Sequence, residues 1–123
     1  MRKRQEVEAF LRDFKAAIKL GHSGFKQRRK TEEGLIELGL TRQQCWEIIS
    51  NLRVDNYCSG PQPDHADPSR DVWVFGHNVE GTEIYIKLRP APDPKRRTVQ
   101  YGLVWSFHPA ERPMKYPLKG KSK

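Results

Sequence analysis

The sequence predicts an α+β domain in which N-terminal helices pack on one face of a C-terminal antiparallel β-sheet. Two features carry that expectation. Apolar side chains recur at spacings of three and four through residues 7–52, whereas from Asp71 onward they alternate. Between the two regimes runs "SGPQPDHADPSRD", whose three prolines and one glycine read as an irregular surface connection. Helices followed by strands, rather than interleaved with them, give a sheet with its helices segregated to one side. At 123 residues the chain makes one domain, able to bury about two-thirds of its unfolded surface. The domain is expected to span residues 1–112. Residues 113–123, proline-broken and basic, are expected to be a loosely held tail.

The elements follow in order. Val7, Phe10, Leu11, Phe14, Ala17 and Ile18 form the apolar stripe of a first helix, which Gly21 can terminate. "SGFKQRRKT" reads as a loop or a brief edge strand. Thr31 is placed to cap a second helix over "EEGLIEL", closed by Gly39, and Thr41 with Gln44 makes the T-x-x-Q capping box of a third. In that third helix Cys45, Ile48, Ile49 and Leu52 share a face, and "VDNYC" can add one more turn. "DVWVFGHNV" is apolar on both faces, as a strand covered on both sides would be. "NVEG" is a hairpin loop, and "TEIYIKLR" turns Ile84, Ile86 and Leu88 inward and Glu83, Tyr85, Lys87 and Arg89 outward. After the stiff "PAPDPKRR" turn, strict alternation in "TVQYGLVWSFH" puts Val99, Tyr101, Leu103, Trp105 and Phe107 on one face. Thr98, Gln100, Val104, Ser106 and His108 fall on the other.

Charge narrows the function classes. The formal net charge is +8 and the pI about 9.7, a balance that suits a polyanion, nucleic acid above all, or an acidic protein that masks the charge. No apolar run approaches bilayer-spanning length, so no membrane is expected as a partner. Two cysteines are too few for a disulfide scaffold, and a reducing cytoplasm is the expected location. Cys45, Cys58, Asp64, His65, Asp67 and His77 lack the paired spacing of a metal site, and "GHSGFK" lacks that of a phosphate-binding glycine loop. Neither a metal nor a cofactor is expected.

Once both hairpin strands turn their aliphatic residues inward, Tyr85, Lys87, Arg89, Ser106 and His108 share the other face. Such a set suits RNA cleavage without a metal. A base deprotonates the 2′-hydroxyl, an acid protonates the departing 5′-oxygen, and cations neutralise the phosphoryl oxygens. Histidine can serve in either proton transfer near neutral pH. Read blandly, the same alternation is a solvated sheet face and a frayed strand end. Basic clusters at 26–30, 95–97 and 115–123 supply further cations, and among them Arg28, Arg29, Arg96 and Arg97 are the expected RNA contacts, with Arg89.

The order "ELGLT…IISNL…DNYCSGPQPD…VWVFG…EIYIKLR…LVWSFHPAERP" resembles the MqsR-like toxins of bacterial type II toxin–antitoxin systems, from about Gly21 to His108. The resemblance implies a RelE-type fold, cofactor-free mRNA cleavage that inhibits translation, a cognate antitoxin, and the ribosome as a further candidate partner. The family's Y-L-K is matched by "YIK", Tyr85 and Lys87, the tyrosine being implicated in activity. Its terminal S-F-K is matched by "SFH", so His108 replaces an implicated lysine. Two other implicated positions depart. "NYCS" carries Cys58 where the family has lysine, and an expected glutamine beside the strand tryptophan finds Val72 or Val74 next to Trp73. The catalytic set so implied is His108, Tyr85 and Lys87. A non-catalytic RNA- or ribosome-binding module, or a DNA-binding accessory subunit, are the readings from other classes.

Overall fold

The computed structural model describes residues 2–65, 68, 70–92 and 100–120. It is α+β, with three helices and a five-stranded sheet: α1 (Arg2–Lys19), β1 (Ser23–Phe25), α2 (Arg29–Leu38), α3 (Arg42–Ser50), a short 3-10 turn (Val54–Asn56), β2 (Tyr57–Pro63), β3 (Asp71–Val79), β4 (Thr82–Pro92) and β5 (Gln100–Pro109). The strand order is β1-β5-β4-β3-β2. Strands β3 to β5 form the expected antiparallel meander; β2 adds antiparallel to β3 and β1 parallel to β5, so the sheet is mixed.

Local signals place the helix ends. The Thr41 hydroxyl accepts from the Gln44 N–H at 3.1 Å while the Gln44 side chain accepts from the Thr41 N–H at 2.9 Å, the reciprocal pair of a capping box. Gly39 closes α2 in the left-handed conformation at φ 67°. The start of α2 is a correction: Arg28 is the N-cap and makes no side-chain cap bond, and Thr31 is buried inside the helix rather than capping it. The connection after α3 is a second correction, since "YCSGPQP" is strand β2. Its prolines are tolerated because β2 is an edge and need not donate on its outer side.

Core rows run straight across the sheet. Phe75, Ile86 and Phe107 are successive cross-strand partners, and each is fully buried. Against this face pack Val7, Leu11 and Phe14 of α1, Leu35 of α2 and Cys45 and Ile49 of α3. Phe10 stacks on Trp73 with centroids 4.4 Å apart.

The strict alternation expected in β5 fails at one place. Lys87 pairs Ser106 while Leu88 pairs Val104, so Trp105 is an extra residue in a β-bulge. A one-residue insertion inverts the faces on one side of it. Val104 is therefore fully buried, and Trp105 stands among cations instead of in the core. Arg89 lies 4.2 Å from the Trp105 ring centroid, Lys26 5.3 Å and Arg28 5.8 Å.

Beyond the end of β1, helix α2 covers the edge of β5. A Cβ at Gly34 would stand 2.7 Å from the His108 Cβ and 2.9 Å from its Cα. Two of these atoms belong to or adjoin the strand backbone, which cannot swing aside. Gly34→Ala is therefore expected to lower stability by about 1–3 kcal/mol, read by urea denaturation.

The segment after β5 is the third correction. Instead of a loose tail, residues 110–118 form a strap bound to the sheet. The Ala110 N–H donates to the Glu83 carbonyl at 2.8 Å. The Glu83 carboxylate accepts from the Met114 N–H at 3.0 Å and from the Tyr116 hydroxyl at 2.8 Å. The Tyr116 ring fills the space above Gly76 that any side chain there would occupy, and Leu118 is buried with the core. Burial and the adjacent Glu83 carboxylate raise the Tyr116 phenol pKa, so it stays a hydrogen-bond donor. Glu83→Ala is expected to cost about 1–3 kcal/mol and to make residues 113–120 the first site of limited proteolysis.

Candidate active site

Strand register assembles the site. Gly76, Tyr85 and His108 are cross-strand partners in one row, and Val74, Lys87 and Ser106 in the next. Directly opposed residues share a sheet face. Tyr85, Lys87, Ser106 and His108 thus stand together, opposite the face covered by α1 and α3. The Tyr85 and His108 rings stack with centroids 5.2 Å apart and planes 21° from parallel.

The histidine is 8 % exposed, its ring stacked on Tyr85 and its Cβ close against Gly34 of α2. Its Nδ1–H donates to the Pro109 carbonyl at 2.9 Å. A carbonyl can only accept, so Nδ1 carries a proton and Nε2 is the nitrogen left for proton transfer. The abrupt "FHP" at the strand end therefore has a geometric consequence: the residue after the histidine orients its ring.

This face closes into a cavity of about 510 Å³. Cys58, Tyr85, Lys87, Ser106 and His108 make its floor, Arg28 and Lys30 from the start of α2 one wall, and residues 110–115 of the strap the other. Arg28 Nη1 donates to Ser106 Oγ at 2.7 Å and to the Trp105 carbonyl at 3.2 Å, which fixes the guanidinium at the rim. Arg28, Lys30, Lys87, Arg112 and Lys115 face a single carboxylate, Glu111, among the described lining residues. Such a cavity attracts anions.

The protonation states are unequal. Burial raises the Tyr85 pKa, with Arg28 opposing it and Cys58 and Glu111 adding to it, so at neutral pH the phenol donates and does not act as a base. Burial lowers the Lys87 pKa, which Asp64 opposes and Arg28 reinforces. The Cys58 thiol, pushed up to about 12 by burial and by Glu83, is a protonated filler rather than a nucleophile.

No protein-family model, curated protein or solved structure matches this chain. Its site is defined by its own chemistry.

Of the residues expected at the site, the structure brings together His108, Tyr85, Lys87 and Arg28. Arg29 is exposed on α2 and does not line the cavity. Arg89 is placed differently from the expectation. Its guanidinium donates to the buried Asp64 carboxylate at 2.7 Å and covers Trp105, so its charge is already neutralised and it supports the rim instead of the cavity. Arg96 and Arg97 lie outside the described residues, as does Asp67. Among the described residues no group of three His, Cys, Asp or Glu side chains is placed to hold a metal ion, and no helix is long and apolar enough to cross a membrane.

Sequence reasoning singled out neither Glu111 nor Arg112, and it held Lys30 and Lys115 only as members of basic clusters. A signal existed in "HPAERP", where prolines on both sides of Ala-Glu-Arg stiffen the chain directly after the histidine.

Proposed function

We propose that this chain is the toxin component of a bacterial type II toxin–antitoxin system, an mRNA endoribonuclease that blocks translation by metal-independent cleavage. The single observation that carries this reading is the stacked Tyr85–His108 pair beside Lys87 on the floor of a cationic cavity. Together they supply a proton-transfer group, a hydrogen-bond donor and a cation where a bent RNA backbone would enter.

In the proposed reaction the 2′-oxygen attacks the adjacent phosphorus, the P–O5′ bond breaks, and the products are a 2′,3′-cyclic phosphate and a 5′-hydroxyl. His108 Nε2 serves as general acid or base. Lys87 and Arg28 stabilise the charge gathering on the phosphoryl oxygens. Tyr85 positions the phosphate or stacks on a base. The resemblance to MqsR-like toxins supports a RelE-type fold for the domain, an antitoxin that covers the basic face, and action on mRNA in the cytoplasm, free or on the ribosome.

A translation extract programmed with a reporter mRNA tests the reading. The protein should cut the message at discrete positions and stop synthesis. Message that remains full-length while synthesis stops would instead favour a non-catalytic RNA- or ribosome-binding module acting through the same cationic face.

A further inference from the structure

We infer that Glu111 is the general base of this site and that His108 is its general acid. The inference rests on the endoribonuclease reading above and adds to it the assignment of both proton transfers.

Cleavage by a 2′-hydroxyl needs one group to accept a proton and another to donate one. The cavity offers few acceptors. Lys30, Lys87, Arg28, Arg112 and Lys115 are cations, and Tyr85 and Cys58 keep their protons. Ser106 Oγ already accepts from Arg28. Among the described lining residues this leaves the His108 Nε2 and the Glu111 carboxylate, which come from one turn of chain, three residues apart, and flank the cavity.

Glu111 is ionised, as a proton acceptor must be, and its ion pair with Lys30 makes it a weaker base than a free carboxylate. It is ion-paired with Lys30 across the cavity mouth, from strap to α2. The Lys30 ammonium holds its carboxyl below the usual carboxylate range, with His108 and Arg112 adding to the effect. A carboxylate in a phosphate cavity repels the substrate, a cost that a proton-accepting role would explain.

His108 is built for the other half. With Nδ1–H held by the Pro109 carbonyl, protonation at Nε2 gives an imidazolium whose second proton points away from the backbone. In the reaction the Glu111 carboxylate takes the 2′-hydroxyl proton as the 2′-oxygen bonds to phosphorus. The Nε2 proton passes to the 5′-oxygen as its bond to phosphorus breaks. Glu111 ends protonated and His108 neutral, and exchange with water restores both.

The groups facing this pair are Arg28 and Lys30 from α2, Tyr85 and Lys87 from β4, Cys58 from β2, and Arg112 and Lys115 from the strap. Those groups are cations, a phenol and a thiol, so the carboxylate and the imidazole are the acid–base pair assigned here.

The test is the pH–rate profile of the full chain on an oligoribonucleotide, for wild type, Glu111→Gln and Glu111→Asp, with folding checked by circular dichroism. The wild-type rate should fall with rising pH, as a reaction that needs a protonated general acid requires. Glu111→Gln should lower the rate at the optimum by about 10²-fold or more, and Glu111→Asp should retain the falling profile at reduced rate. An unchanged rate and profile in Glu111→Gln, or a wild-type rate that climbs with pH, overturns the assignment while leaving the endoribonuclease intact. An RNA left whole by wild type at every pH, with and without ribosomes, overturns both.

Discussion

His108→Ala is expected to reduce RNA cleavage by about 10²–10⁴-fold, the range removed with a general acid or base, while the domain stays folded. Its ring lies on the cavity face against Tyr85, outside the row formed by Phe75, Ile86 and Phe107. Truncation therefore enlarges the cavity instead of opening the core. Single-turnover cleavage of a labelled RNA measures the loss, and a melting curve within a few degrees of wild type assigns it to chemistry. His108→Gln should be as inactive as the alanine variant, since it keeps much of the ring's volume but cannot donate a proton from an imidazolium. Equal cleavage by both variants and wild type would remove the histidine from the mechanism.

Lys87→Met is expected to cost about 10²–10³-fold in kcat, with a smaller change in KM. Its ammonium is on the cavity floor one row from His108, half-buried, where the low dielectric strengthens its pull on a developing phosphoryl charge. Methionine keeps the apolar stem and removes only the charge, so packing against Val74 and Ser106 should persist. Lys87→Arg should recover part of the rate. A loss confined to KM would show that Lys87 attracts RNA without acting on the transition state.

Much of the fold was legible in the sequence, and so was half of the site. The Thr41–Gln44 box, Gly39 and the clean alternation of "TEIYIKLR" are local signals, and each settles its own neighbourhood. They were enough to put Tyr85 and Lys87 on the open face. His108 lies on the same face as Tyr85 for a subtler reason: the bulge at Trp105 lies before it, so the alternation of Ser106, Phe107 and His108 survives, while Leu103 and Val104 exchange faces. Nothing local announces that bulge, because an extra residue is selected by pairing with β4.

The remaining misses share a long-range origin. Strand β2 looked like a loop because prolines are poor strand formers in general, though not at an edge. The strap depends on Glu83 reaching Tyr116, 33 residues away in sequence, and on Gly76 leaving room for its ring. Arg89 looked like a free cation until Asp64, from the proline-rich connection, met it. In each case the missing partner comes from a different part of the chain, which spacing within a motif cannot reveal. Glu111 entered the site with the strap.

The most direct test of the central claim is the chemistry of the ends left on purified RNA, cleaved in excess chelator and resolved by mass spectrometry. Attack by the 2′-oxygen predicts 2′,3′-cyclic phosphate or its 3′-phosphate hydrolysis product on one fragment and a 5′-hydroxyl on the other. Fragments carrying a 5′-phosphate and a 3′-hydroxyl, or cleavage that disappears when divalent ions are chelated, would contradict it.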